Sequence, residues 1–287
     1  MSEIFSFDRE TDRFRLALAV EYKGTCYRGW QVQRSGVPTV QAALEKAIAC
    51  VANEPIASIV AGRTDAGVHA TNQIVHFDTQ SERSDYGWKM GINGQLPDDI
   101  SVRWVKPVGL DFHARFSARE RVYRFIIHNN WVKSALLSET TTWEQYELDE
   151  HKMQQAADTL IGCHDFSSFR AAECQAHSPV RTLRELTVER FDELIVIQAR
   201  ADGFLHHMVR NLVGVLLPIG RGRKPVSWAQ DVLSYKDRKC GGVTAGGSGL
   251  YFIKACYDVG DLPELSAGPA FIQPLISQLP NRFDRID

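Results

Sequence analysis

The sequence predicts an α+β protein made of two related halves, each with a mainly antiparallel sheet and packed helices. Three observations support this class. The chain has 287 residues, of which 44% are hydrophobic, which is enough for one large domain or two ordinary ones. Segments with a two-residue apolar period alternate with segments of helical period. The order of these segments is similar in the two halves, although no residue-level repeat is visible.

The first half, predicted as a domain over residues 14–110, follows the order β-α-β-β-α-β. Residues 15–22 form its first strand, because alternate positions are apolar. Its first helix begins after Thr39, a predicted N-cap, since apolar residues then recur at helical spacing. The remaining predicted elements are strands over 58–62 and 73–78, a helix over 86–96 that a proline ends, and a strand over 101–105.

The second half, predicted as a domain over residues 111–258, begins with a strand over 120–128. Its other predicted elements are a helix over 149–161, a hairpin of strands 184–191 and 194–201, helices over 205–219 and 228–235, and a strand over 250–257. Residues 1–13 are treated as an N-terminal extension. Residues 259–287 hold four of the eleven prolines, so this tail is expected to be extended or loosely packed.

Charge and composition exclude several classes of protein. Thirty-three basic and 35 acidic residues leave a net charge of −2, unlike a histone-like or a strongly acidic chain, but local patches can still bind nucleic acid. No apolar run approaches the roughly 20 residues of a membrane helix, and residues 1–13 lack the apolar core of a signal peptide. Six cysteines show neither C-x-x-C pairs nor zinc-ligand spacing. We therefore expect a cytoplasmic protein with reduced thiols, no metal and no membrane association.

The segment GRTDAGVHA, residues 62–70, is the strongest candidate for chemistry. Asp65 lies between small residues, so a bulky substrate can approach its carboxylate, which suits a nucleophile or a general base. Arg63 lies close enough in the chain to contact the same ligand. The alternative is an aspartate that only caps a turn, a common use of this residue.

Two further segments combine basic and aromatic residues. Arg119, Arg121 and Tyr123 share one face of the predicted strand, which suits phosphates and bases together; the alternative is a strand face with snorkelling arginines. Residues 203–224 contain four basic residues and no acidic one. These residues, Arg210, Arg221, Arg223 and Lys224, suggest a surface that faces phosphates, with an ordinary solvated loop as the alternative.

Two other sequence patterns are weaker candidates for ligand binding than the three segments above. The adjacent His206 and His207 point in different directions on a helix and lack an H-E-x-x-H pattern, so a metal site is not expected. The glycine-rich residues 241–251 lack the Lys-Ser/Thr pair of a phosphate loop, so nucleotide binding is not expected either. We expect this segment to be the entry to a strand that lies against a ligand.

Five segments together closely resemble the tRNA pseudouridine synthase A family. They are GRTDAGVHA at 62–70, YKGTCYRGWQVQ at 22–33, ERVYRFII at 120–127, HHMVRNLVG at 206–214 and SGLYF at 248–252. The resemblance follows the same order over roughly residues 14–257. It implies a pseudouridine synthase fold, with two α+β domains around one extended antiparallel central sheet. It also implies isomerisation of uridine to pseudouridine at positions 38, 39 and 40 of the tRNA anticodon stem-loop, by a homodimer without cofactor or metal.

The resemblance also assigns roles to individual residues. Asp65 matches the catalytic aspartate, Tyr123 the active-site tyrosine, and Arg210 the arginine that pairs with the aspartate. Leu250 matches a leucine that packs beside the target base, and Arg63 an arginine that displaces this base from its stack. Chemistry agrees with two of these roles. Displacing a base from its stack costs a few kcal/mol, which Arg63 can offset by filling the gap. An arginine such as Arg210 beside a carboxylate favours the charged form of that carboxylate.

The sequence departs from the family pattern at two places, and two other functions compete with the one that the resemblance implies. Lys23-Gly24 stands where the family commonly has Asp-Gly, and residues 245–248 replace its usual Ala-Pro-Ala, which affects the stiffness of the loop near the base. A non-catalytic RNA-binding module would use the same basic faces but needs no carboxylate at Asp65. A glycoside hydrolase would need a second carboxylate, and Glu120, the only other acid in these segments, points away from the Tyr123 face.

Overall fold

The computed structural model describes residues 13–258, 262–263, 265 and 268–272. The chain divides into two compact units. The first unit comprises Met1–Arg121 and Lys254–Pro263, and the second comprises Val122–Ile253 and Glu264–Asp287. The predicted extension 1–13, apart from Arg13, and most of the predicted tail 259–287 lie outside the described residues. The predicted domain boundary at 110/111 stays a prediction.

The first unit contains a four-stranded antiparallel arrangement and two helices. In chain order these elements are β1 (Phe14–Tyr22), α1 (Val40–Ala52), β2 (Ser58–Val60), β3 (His69–Thr79), α2 (Asp85–Asn93) and β4 (Ile100–Val108). Strand β1 lies between β4 and β3, and β2 pairs with the other edge of β3. Leu18 on β1 faces Val75 on one side and Val105 on the other. All three side chains are buried, so the alternating apolar pattern forms the core of this unit.

The N-cap predicted for α1 is confirmed. Thr39 has an extended backbone, and its hydroxyl oxygen accepts a hydrogen bond from the Ala42 amide at 3.4 Å. Leu44 and Ile48 bury the apolar face of the helix. The helix ends at Asn53, whose left-handed backbone conformation (φ 56°) stops the hydrogen-bond ladder.

The second unit contains a larger sheet with three helices. Its elements in chain order are β5 (Ala118–Asn129), β6 (Thr142–Glu144), α3 (Glu150–Asp158), β7 (Gly162–Asp165), β8 (Val180–Phe191), β9 (Leu194–Ala201), α4 (Met208–Gly220), α5 (Trp228–Tyr235) and β10 (Leu250–Tyr257). The residues of β5 up to Arg121 and those of β10 from Lys254 onward belong to the first unit. The strand order is β10-β5-β9-β8-β7. Strand β6 pairs in parallel with the C-terminal end of β5, at residues 127–129. The predicted hairpin turns at Asp192, between β8 and β9. The α+β fold class is therefore confirmed.

Several element boundaries differ from the sequence prediction. Helix α4 begins at Met208 instead of residue 205, because His207 has a left-handed backbone (φ 61°) that interrupts the helical geometry. The helices predicted to reach residues 96 and 161 end earlier, at Asn93 and Asp158. Strands β6 and β7 were not predicted, because three or four residues are too few to show a period.

One residue of the proline-rich tail, Ile272, packs in the core, and the prediction of an extended or loosely packed tail otherwise stays a prediction. The Ile272 side chain is fully buried in the second unit. It joins an apolar cluster that contains Val122 and Ile126 of β5, Val196 of β9 and Tyr251 and Ile253 of β10. A proline-rich sequence does not prevent a single apolar side chain from filling a site in the core.

No helix in the described part of the chain is long and apolar enough to cross a membrane.

Candidate active site and RNA-binding residues

The segment that carries Asp65 is an irregular loop between β2 and β3 of the first unit. Asp65 is half-buried and begins a turn, in which its carbonyl accepts the Val68 amide at 3.2 Å. Thr64 is buried, whereas Arg63 is exposed. The loop is therefore anchored in the unit at Thr64, whereas the Arg63 side chain is accessible to a ligand.

A buried hydrogen-bond network fixes the start of this loop. The hydroxyl groups of Tyr22 and Thr64 lie 2.8 Å apart. The side-chain amide of Gln73 donates to the Gly62 carbonyl at 2.7 Å and to the Tyr22 hydroxyl at 3.5 Å. Burial raises the pKa of Tyr22 to about 12, so this phenol stays neutral at physiological pH. The Tyr22 hydroxyl therefore keeps the proton with which it can donate within this network.

The segment after β1 holds the loop from the other side through backbone contacts. The Trp30 amide donates to the Thr64 carbonyl at 3.0 Å, and the Gly67 amide donates to the Tyr27 carbonyl at 3.3 Å. The Gly24 amide donates to Nδ1 of His69, at the start of β3, at 3.0 Å. These contacts fix the backbone on both sides of Asp65.

Two glycines make this close approach possible. A Cβ on Gly24 would lie 1.9 Å from the Val68 carbonyl oxygen. A Cβ on Gly29 would lie 2.7 Å from the Thr64 carbonyl oxygen, and Gly29 also has a positive φ of 94°. The segment 22–33 entered the prediction only through the resemblance, and no sequence pattern showed that its glycines and Tyr22 position the Asp65 loop.

Arg119 and Arg121 have different surroundings within the first unit. Arg119 is exposed, and its Nε lies 2.6 Å from a carboxylate oxygen of Asp258. Arg121 is half-buried and donates to the carbonyls of Ala61, at 3.3 Å, and Ala118, at 3.0 Å. Arg121 therefore supports the end of β2, just before the Asp65 loop, in addition to any contact it makes with RNA.

Tyr123 and Leu250 lie on neighbouring strands of the second unit. The Tyr123 ring is buried and meets the rings of Phe204 and Phe252 edge-on, with centroids 5.0 and 5.2 Å away. Leu250 is buried at the start of β10, where its amide donates to the Gly247 carbonyl at 2.9 Å. These contacts fix the orientation of the Tyr123 ring and the position at which β10 begins.

Arg210 connects helix α4 with the glycine-rich segment before β10. Its Nε donates to the Ala245 carbonyl at 2.7 Å, and the Ala245 amide donates to the Arg210 carbonyl at 3.2 Å. In the second unit, the glycine-rich segment therefore packs on a helix. The predicted contact of this segment with a ligand stays a prediction.

The basic residues that follow α4 are arranged on aromatic rings. Arg221 forms a close ion pair with Glu144 at the end of β6. The guanidinium carbons of Arg221 and Arg223 lie 5.6 and 4.8 Å from the centroid of the Tyr146 ring. The ammonium of Lys224 lies 5.0 Å from the Trp228 ring. No sequence pattern points to Glu144 or Tyr146, because they lie more than seventy residues earlier in the chain.

Comparison with known proteins identifies the family. A family model described as tRNA pseudouridine synthase matches residues 18–117 and 156–258. A protein named tRNA pseudouridine synthase A from Pseudomonas aeruginosa is 51% identical over 262 residues, covering 91% of this chain and 92% of its own length. A protein of the same name from Pseudoalteromonas atlantica is 51% identical (90% and 98% covered), and another from Klebsiella pneumoniae is 48% identical (90% and 96% covered).

The chain belongs to the tRNA pseudouridine synthase family. The resemblance seen in the sequence is therefore confirmed, and so is the pseudouridine synthase fold class. The family model matches neither residues 118–155, which contain β6 and Tyr146, nor the tail beyond residue 258.

Proposed function

We propose that this chain converts uridine to pseudouridine at positions 38, 39 and 40 of the tRNA anticodon stem-loop, with Asp65 as the nucleophile. Membership of the family makes it a tRNA uridine isomerase. The observation that carries the assignment of Asp65 is its place in a half-buried turn between small residues, with the backbone fixed on both sides. A nucleophile needs such a fixed position, because small displacements reduce the rate strongly.

The reaction moves one bond without a change of oxidation state. The bond between N1 of uracil and C1′ of the ribose breaks, the base turns, and a bond forms between C5 and C1′. The proton then leaves C5, and N1 gains a proton. Asp65 assists by attack at C1′ of the ribose or at C6 of the uracil, and both routes need a charged carboxylate.

The other roles follow from the resemblance to the family. Arg63 fills the gap left by the displaced base, and its exposed position supports this role. Arg210 pairs with the catalytic aspartate, and Leu250 packs beside the base. Tyr123 accepts or relays the C5 proton through its hydroxyl, and its ring contacts hold that hydroxyl in one direction.

Binding of tRNA is assigned to exposed and half-exposed basic side chains. These are Arg63, Arg119, Arg121, Arg223 and Lys224, with Arg221 as a weaker contributor because it pairs with Glu144. Charges of this kind displace counterions from phosphates, so binding should weaken with salt despite the net charge of −2. We further propose that the protein acts in the cytoplasm as a homodimer, and that the reaction needs neither a cofactor nor a metal ion.

Mapping of pseudouridine in tRNA tests this function. The purified protein is incubated with a tRNA transcript that carries uridine at positions 38, 39 and 40, and with a second transcript that carries cytidine there. We expect pseudouridine in the first transcript only, at those three positions. Modification at other positions would contradict the proposed site. Binding of both transcripts without any modification would favour a non-catalytic RNA-binding module.

A further inference from the structure

The segment from Glu144 to Tyr146 has an unusually well-fixed backbone for a loop. The side-chain amide of Asn129 donates to the Glu144 carbonyl at 3.0 Å and to the Tyr146 carbonyl at 2.7 Å. The Tyr146 amide donates to a carboxylate oxygen of Glu144 at 2.9 Å. The Tyr146 ring is therefore held in place at the end of β6 although 43% of its residue surface is exposed.

The positive charge of Arg221 is paired with the carboxylate of Glu144. The Glu144 side chain with which it pairs is only 5% exposed, and the Arg221 side chain is 25% exposed. A carboxylate this deeply buried needs a partner, because an uncompensated buried charge is costly. Arg221 is therefore the anchor that joins the end of α4 to β6, and contributes little free charge to a ligand.

Arg223 has the opposite character. Its side chain is exposed, and within the described residues it forms no ion pair. Its backbone amide donates to the Pro218 carbonyl at 2.9 Å, which fixes the start of the side chain. The guanidinium then lies 4.8 Å from the Tyr146 ring, at a distance suited to a cation–π contact. Contact with one face of a guanidinium leaves the N–H groups at its edge able to donate to a phosphate.

We propose that Tyr146 is a positioning residue that holds the Arg223 guanidinium for contact with a phosphodiester of the bound tRNA. The proposal rests on the proposed function, in which the residues after α4 contact tRNA. Its physical reason is conformational entropy, because a free arginine side chain loses rotamer freedom when it binds, and a stacked one has lost part of it already. It divides the basic residues after α4 into an anchor, Arg221, and a contact, Arg223.

The test measures tRNA affinity as a function of salt for Tyr146→Leu, Tyr146→Phe, Arg223→Gln and the double variant Tyr146→Leu/Arg223→Gln. Arg223→Gln should weaken binding several-fold and reduce the slope of log K against log salt by somewhat less than one, the value for one phosphate. Tyr146→Leu should weaken binding about two- to fivefold, and Tyr146→Phe should bind like wild type, because phenylalanine keeps the ring. The double variant should bind no more weakly than Arg223→Gln alone.

Tyr235→Leu is the matched control, since this tyrosine is 55% exposed at the end of α5. Steady-state kinetics should show that Tyr146→Leu raises KM and leaves kcat unchanged, which a loss of folding would not do. A thermal midpoint for each variant monitors the fold, and Tyr146→Gln provides a second loss of the ring. Wild-type affinity in both Tyr146→Leu and Tyr146→Gln, or additive losses in the double variant, would overturn the positioning role.

The outcomes also separate this proposal from the proposed function. If Arg223→Gln binds tRNA like wild type, Arg223 makes no phosphate contact, and the positioning role falls with it. The proposed function would still stand if the wild-type protein modified positions 38, 39 and 40. If the wild-type protein modified none of them, the proposed function would fail even if the salt dependence of the variants matched the expected pattern.

Discussion

The Asp65 loop and the basic segment after α4 are held in different ways. Backbone hydrogen bonds fix the loop, and two glycines without side chains let the neighbouring backbone approach it closely. Ion pairing and ring contacts from β6 fix the basic segment, so its position depends on large side chains far away in the sequence. Covalent chemistry needs a carboxylate fixed within fractions of an ångström, whereas a phosphate contact tolerates more movement.

The largest effect is expected where the backbone contact of the loop is broken. Gly24→Ala would place a methyl group 1.9 Å from the Val68 carbonyl oxygen, so the backbone must shift. We expect a loss of about 3 kcal/mol of unfolding free energy and of most activity. Gly203→Ala is the control, because Gly203 also lacks a positive φ and an added Cβ would lie 3.5 Å from the Arg181 side chain, an ordinary contact distance. Urea unfolding and single-turnover assays measure both, and equal losses in the two variants would show that contact with the loop is unimportant.

Tyr123→Phe should reduce turnover and leave the fold intact. The ring keeps its contacts with Phe204 and Phe252, and only the hydroxyl is lost. Loss of a positioned acid–base group costs roughly a hundredfold in rate. Rapid-quench measurement of the chemical step, with tRNA affinity measured in parallel, checks this. A variant within a few-fold of the wild-type rate would remove Tyr123 from proton transfer.

Arg221→Ala and Arg223→Ala should differ in stability. Arg221→Ala leaves the buried carboxylate of Glu144 without its partner, and we expect a loss of about 2 kcal/mol. Arg223→Ala removes an exposed side chain and should change stability by less than about 0.5 kcal/mol. Chemical denaturation of both variants decides the matter. Similar stabilities would mean that the pair with Glu144 contributes nothing to the second unit.

Arg63→Ala should show the smaller of the two effects on catalysis, and this effect should depend on the substrate. The carboxylate of Asp65 remains, but the side chain that fills the gap in the base stack is lost, so we expect roughly tenfold slower conversion. A stem-loop in which the target uridine is already unstacked should restore part of this rate, whereas it should not help Tyr123→Phe. Identical responses of the two variants would contradict the separation of base displacement from proton transfer.

The same contrast explains what the sequence could predict. The strands and helices with clear periods, such as β1 and α1, were predicted well because burial imposes their pattern. Asp65 could be predicted as a candidate because the small residues around it lie next to it in the chain. Glu144 and Tyr146 were missed, because a three-residue strand brings them to Arg221 from far away in sequence. Ile272 was missed for a similar reason, since one apolar residue in a proline-rich tail has no period.

The most direct measurement is the single-turnover rate of Asp65→Asn on a tRNA with uridine at positions 38, 39 and 40. Asp98→Asn is the control, because it makes the same change of charge at an exposed turn before β4. We expect no detectable pseudouridine with Asp65→Asn, tRNA affinity within a few-fold of wild type, and a normal rate for Asp98→Asn. A rate for Asp65→Asn above about one hundredth of wild type would show that Asp65 is not the nucleophile.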